Sequence, residues 1–207
     1  MTTHSSQALI EACHWIGRQG WCPATGGNFS ARIDEDRVQV TASGCHKAYL
    51  TASDLLIVDL DGQPFDRERK PSAETLLHTR LYRLDRRIGA VLHTHSVAAT
   101  VVSQVTEGYW LSIADYEMQK ALAGNVDHGS RINIAIFDND QDMVRLAGAL
   151  ASRWDKQPLH WGFLVRGHGL YAWGDDIDQA RRHLEGLEFL LACQLEMRRL
   201  GAQGTVA

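Results

Sequence analysis

The segment Ile88-Gly-Ala-Val-Leu-His-Thr-His95 constrains this chain most. It reads as a buried apolar strand that ends in His-x-His. Side chains at i and i+2 share one face of a strand, so His93 and His95 point the same way. That spacing makes a two-point clamp for a metal ion. A single histidine there would read as an ordinary polar strand end; the paired spacing makes ligation an equal alternative.

A third histidine extends the pattern. Arg166-Gly167-His168-Gly169 sets an imidazole between two glycines, next to the apolar run Trp161–Val165. Glycine permits a sharp turn and close backbone approach, so His168 is either a turn residue or a ligand. Three histidines with an open fourth position are the pattern of a catalytic rather than a structural zinc site. Neutral imidazole also suits iron, manganese or cobalt. The expected cofactor is one divalent metal per subunit, with Zn2+ the first candidate.

Three segments offer groups for an anion. Gly26-Gly27-Asn28-Phe29-Ser30 brings backbone N–H groups, an amide and a hydroxyl; Thr41-Ala42-Ser43-Gly44 does the same, with Lys47 beyond it. Lys70-Pro71-Ser72 stands at a helix start, where the dipole favours negative charge. Each alone is commonplace; three beside a histidine triad point to a phosphate pocket. Glu74 and Glu117 are the carboxylates placed for acid/base work, and either also reads as an exposed helix residue.

Around these motifs the periodicity predicts a helix over Ser6–Gln19, a hairpin of Asn28–Ile33 with Arg37–Ala42, a strand at Leu55–Leu60 and a helix over Ser72–Leu84 capped by Ser72. Further helices are expected over Ser96–Gln104, Asp115–Ala123, Asp140–Arg153 and Asp175–Arg199. Strands are expected at Ile132–Phe137, His160–Arg166 and Gly169–Trp173. That alternation is an α/β or α+β domain, a mixed sheet covered by helices. A length of 207 residues suits one domain over 1–207.

Composition narrows the function classes. A net charge of -4 with scattered Lys and Arg leaves no footprint for nucleic acid or an anionic membrane. No apolar run nears the ~20 residues of a membrane helix. Met1-Thr-Thr-His-Ser-Ser has no charged region followed by an apolar one, so no secretory signal is expected. Cys13, Cys22, Cys45 and Cys193 form no CxxC pair and read as free thiols in a reducing cytoplasm.

Thr25-Gly-Gly-Asn-Phe-Ser30, Thr41-Ala-Ser-Gly44, Lys70-Pro-Ser-Ala-Glu74, His93-Thr-His95 and Arg166-Gly-His-Gly169 follow one another in an order that resembles the class II aldolase and adducin-head family of metal-dependent sugar-phosphate enzymes. The likeness runs from about Ser6 to Met197. It implies a three-layer α/β/α sandwich with a central mixed, largely antiparallel sheet. It implies His93, His95 and His168 as metal ligands. It implies Asn28, Ser43, Gly44 and Ser72 at the substrate phosphate, and a homotetramer with active sites at subunit interfaces.

Ser43-Gly-Cys-His-Lys-Ala-Tyr-Leu-Thr51, Tyr116-Glu-Met-Gln-Lys-Ala-Leu122 and Phe163-Leu-Val-Arg-Gly-His-Gly-Leu-Tyr-Ala-Trp-Gly174 bring the likeness nearer to the family's water-eliminating members, where Glu117 would be the acid/base group. Glu74 stands where the aldolases of the family carry theirs, so it belongs to the substrate site and aldol cleavage stays open. The segment after Leu200 holds neither the aromatic residue nor the histidine that cleaving and epimerising relatives often contribute from their tails. A noncatalytic binding module is the third reading, opposed by the three retained histidines.

Overall fold

The structure is a computed structural model and describes residues 2–201, so Met1 and the tail segment 202–207 lie outside the described residues. The chain opens with helix α1 (Thr2–Arg18), whose Leu9, Ala12, Cys13 and Ile16 are all buried along one stripe. Strands β1 (Asn28–Arg32) and β2 (Arg37–Thr41) form the expected hairpin, Ser30 opposite Val40. Asp34 closes its turn by accepting from the Arg37 N–H at 2.9 Å. A short 3-10 turn at Ala52–Asp54 carries the capping box and leads into β3 (Leu55–Asp59).

Helix α2 (Thr75–Leu84), strand β4 (Ala90–Thr94) and helix α3 (Val97–Val105) follow. Then come β5 (Trp110–Ile113), β6 (Ile132–Phe137) and α4 (Met143–Lys156). Strands β7 (Gly162–Val165) and β8 (Gly169–Gly174) and the long helix α5 (Ile177–Arg199) complete the chain.

The eight strands form one sheet in the order β3-β2-β1-β4-β8-β7-β6-β5. Only β6 and β7 run parallel, so the sheet is mixed and largely antiparallel, as expected. Both faces are covered. Leu92, Leu164, Leu170 and Ala172 pack under α1, α3 and α5; Val91, Phe163, Tyr171 and Trp173 pack under α2 and α4. Strand alternation produces that division, and it puts β4 and β8 at the centre of a three-layer sandwich.

Several elements shift by one to four residues at their ends, two differ in a way that bears on the site, and one was not foreseen. The helix predicted over Ser72–Leu84 begins only at Thr75, with Glu74 at the N-cap position rather than Ser72. Pro71 is bridged to Ala42, and the Thr75 N–H bonds the Ser72 carbonyl at 3.1 Å, so 71–74 forms a turn. The helix predicted over Asp115–Ala123 is a single 3-10 stretch, Glu117–Ala121. Asp115 lies in the left-handed region at φ 68°, and buried Gln119 donates from its amide to the Ser130 carbonyl at 2.6 Å. Those contacts hold one turn in place of a regular helix. Strand β5 is four residues long at the sheet edge, too short to show a periodicity. All four cysteines are free. Among the described residues, no helix is long and apolar enough to cross a membrane.

Candidate metal centre

The sandwich brings its chemistry together where β4 ends beside the start of β8. His93 is fully buried on β4, on the face that carries Val91 and Tyr171. His95 lies just past the strand, and His168 occupies the turn between β7 and β8. The three Nε2 atoms form a small triangle, with sides of 2.8 Å (His93 to His95), 3.0 Å (His95 to His168) and 3.3 Å (His93 to His168). Ligands of a tetrahedral zinc with Zn–N near 2.0–2.1 Å would stand about 3.3 Å apart.

Glycine makes the approach possible. A Cβ on Gly169 would fall 1.9 Å from the Thr94 carbonyl oxygen, and one on Gly26 would fall 2.7 Å from His95 Nδ1. The β7–β8 turn and the 25–27 loop therefore close on the histidines only because these positions lack side chains.

The donor set fits a cation. His93 Nδ1 donates to the Leu170 carbonyl at 2.9 Å, which leaves the Nε2 lone pair facing the other two rings. Tyr171 stacks flat on His93, centroids 3.8 Å apart at 13°, and fixes the ring plane. Burial holds the His93 imidazole well below its ordinary pKa, Glu74 opposing, and lowers His95 as well. Both rings are thus neutral at physiological pH, the form a metal requires.

Glu74 joins this group. Its Oε1 lies 2.9 Å from His168 Nε2 and its Oε2 3.4 Å from His93 Nε2. Glu74, His93, His95 and His168 each offer one atom to a set lying within 4.8 Å. Burial alone would raise the Glu74 pKa. The hydrogen bond from His168, the neighbouring His93 and the amide of Asn28 together outweigh it and hold the carboxyl far below the usual carboxylate range.

Of the expected anion-binding residues, Asn28 and Ser72 contact Glu74, and Ser43 is tied to the turn before Ser72. Asn28 sits opposite His93 in the β1–β4 register and its Nδ2 donates to Glu74 Oε2. The Ser43 N–H bonds the Lys70 carbonyl at 3.2 Å, tying the 41–44 loop to the 70–72 turn. Gly44, at φ +78°, completes the first loop, and Ser72 Oγ faces the Glu74 N–H at 3.5 Å. Lys47 is buried and donates to the Thr25 carbonyl at 3.1 Å and the Cys45 carbonyl at 2.6 Å, joining the glycine loop to the others.

Glu117 is elsewhere. Its side chain is 75% exposed and pairs with Lys120 at 2.9 Å. The 3-10 turn that carries it follows edge strand β5 and packs on α5, in the layer across the sheet from His93. Within one protomer it does not join the histidines. Sequence reasoning missed the roles of Tyr171 and of Glu188 on α5; the signal for Glu188 was a carboxylate on the helix stripe Leu184, Leu187, Leu191.

The model of the class II aldolase and adducin N-terminal domain matches residues 7–195. A methylthioribulose-1-phosphate dehydratase of Serratia proteamaculans is 55% identical over 197 residues, covering 95% of this chain and 97% of that protein. One of Yersinia enterocolitica is 56% identical, covering 94% and 93%. In three dimensions the L-fuculose-1-phosphate aldolase of Thermus thermophilus is similar at TM-score 0.78 and 26% identity, covering 99% of this chain and all of that one.

Proposed function

The chain belongs to the class II aldolase and adducin N-terminal domain family, and on that premise we propose that it removes water from 5-methylthioribulose 1-phosphate, giving 2,3-diketo-5-methylthiopentyl 1-phosphate, as a hydro-lyase of methionine salvage. The observation that carries this reading is the near-full-length likeness to curated dehydratases, in a chain whose three histidines and Glu74 converge on one point.

A divalent metal, zinc first among candidates, would be held by His93, His95 and His168 and would supply Lewis-acid polarisation of the C2 carbonyl. The protein supplies the rest. A base takes the C3 proton, the C4–O bond breaks, and the departing hydroxyl leaves as water once protonated; the resulting enol ketonises to the diketone. Glu117 is the proposed proton donor and base. General acid/base help of this kind contributes about 10²–10⁴ in rate. Asn28, Ser43, Gly44 and Ser72 bind the phosphate and hold the reacting carbons in register. Asn28 also restrains Glu74 beside the ligands.

Because Glu117 faces solvent on the opposite layer, it would serve the metal centre of a neighbouring copy in a homotetramer. A monomeric mass by light scattering at micromolar concentration would sink that part of the reading. The free thiols fit a reducing cytoplasm.

One observation favours a second reading. Glu74 lies within the metal cluster, where an aldolase needs its acid/base group. Incubation with methylthioribulose 1-phosphate discriminates: diketone absorbance supports the dehydratase, a three-carbon product supports the aldolase, and no turnover supports a binding module.

A further inference from the structure

Helix α5 packs Leu184, Leu187 and Leu191 against the sheet, and Glu188 lies among them, 2% exposed. A carboxylate on a buried helix face is costly unless its oxygens find donors. Both do. Thr94 Oγ1 donates to Oε1 and Ser96 Oγ to Oε2, each at 2.5 Å. These donors are the two neighbours of His95. The carboxylate therefore grips the chain on both sides of one proposed ligand, from the face opposite the metal cluster.

The grip falls where the sheet stops supporting the chain. Thr94, opposite Leu170, is the last paired residue of β4, and beyond it His95 keeps one backbone bond, from its N–H to the Trp21 carbonyl at 2.8 Å. The contact also extends further. Ser96 Oγ caps α3 by accepting from the Ala99 N–H at 3.0 Å, and one turn on, Thr100 Oγ1 donates to the His168 carbonyl at 3.0 Å. One buried carboxylate is thus linked to the backbone of two of the three histidines.

We propose that Glu188 is a positioning residue for the metal centre, holding His95 directly and His168 through α3 in the geometry that binds the ion. The proposal rests on the reading that the three histidines hold a metal. Losing a direct hydrogen-bond partner of a ligand costs about 10–100-fold in metal affinity; Glu188 acts through the neighbours of His95 and is expected near the lower end of that range. Gln at 188 keeps the shape but offers one acceptor where two hydroxyls donate.

The test uses cobalt(II) on the full chain, with affinity measured by chelator competition and geometry by the visible d–d bands. Glu188→Gln is expected to weaken cobalt binding about tenfold or more and to alter the bands. Thr94→Val should weaken it in the same direction, and Thr94→Ser, which keeps the donor, should restore it. Should Glu188→Gln fail to fold, the two Thr94 variants decide alone. Wild-type affinity and bands in Glu188→Gln, or in Thr94→Val, whatever the melting temperature, overturn the proposal. A wild-type chain that takes up no cobalt overturns the metal reading itself and this inference with it.

Discussion

Glu117→Gln separates chemistry from stability. The side chain is 75% exposed and pairs with Lys120, three residues on. An exposed pair of that kind is worth less than about 1 kcal/mol. For a chain of this size the melting temperature should move by no more than about 2–4 °C. Metal content should be unchanged, since Glu117 lies outside the histidine cluster. A lost acid/base group costs about 10²–10⁴ in rate, equivalent to about 2.7–5.4 kcal/mol of barrier. The chemical effect thus exceeds the structural one several-fold. The assay is kcat on methylthioribulose 1-phosphate, with metal content and melting temperature measured on the same preparation. Glu74→Gln is run beside it; on the dehydratase reading it is the milder lesion in kcat, although it removes a group held by Asn28 and His168. Near-normal kcat in Glu117→Gln with full metal loading refutes the mechanism. A severe Glu74→Gln with a mild Glu117→Gln moves the assignment to the aldolase.

Alanine at His93, His95 or His168 should each abolish metal retention after dialysis along with turnover; a variant that keeps both removes that residue from the ligand set. Ser43→Ala or Ser72→Ala should raise KM for the phosphorylated substrate without lowering metal content, and an unchanged KM in both would put the phosphate elsewhere. Stability of the metal-stripped chain should fall below about pH 6.5. Burial pushes the His78 pKa down to about 4, with Glu74 opposing. In that window the unfolded chain binds a proton that the folded chain does not. For His78 this costs up to about 1.4 kcal/mol per pH unit between pH 6.5 and 4, and the other depressed histidines act in the same direction. Glu188, raised to about 7 by burial, acts in the opposite sense from about pH 4.5 to 7, but His78, His93, His95 and His183 outnumber it. Denaturant midpoints at pH 7.5 and pH 5 check the sign; an equal or higher midpoint at pH 5 contradicts it.

What could be read without coordinates followed from short-range rules. The burial of Leu9, Ala12, Cys13 and Ile16 along α1 and the bounds of β6 came from side-chain periodicity, which is local. So did the shared direction of His93 and His95. The meeting of these two with His168 was legible from residue type and motif resemblance but not from periodicity, because 73 or more residues of chain separate them. The tertiary structure decided the rest. Glu74 left the helix it was expected to join because the bridge between Pro71 and Ala42 delays the first turn, and Asn28 and His168 hold its carboxylate instead. Glu117, which reads as either an acid/base group or an exposed residue, is exposed, and Glu188 is buried. The first sits in a short segment that no regular helix buries, and the second sits on a leucine stripe, where only Thr94 and Ser96 from a different strand end make its burial tolerable. Periodicity says which way a side chain points relative to its own element. Whether a charge found there is exposed, paired or set against a ligand depends on which distant segment packs on that face, and no local pattern encodes that.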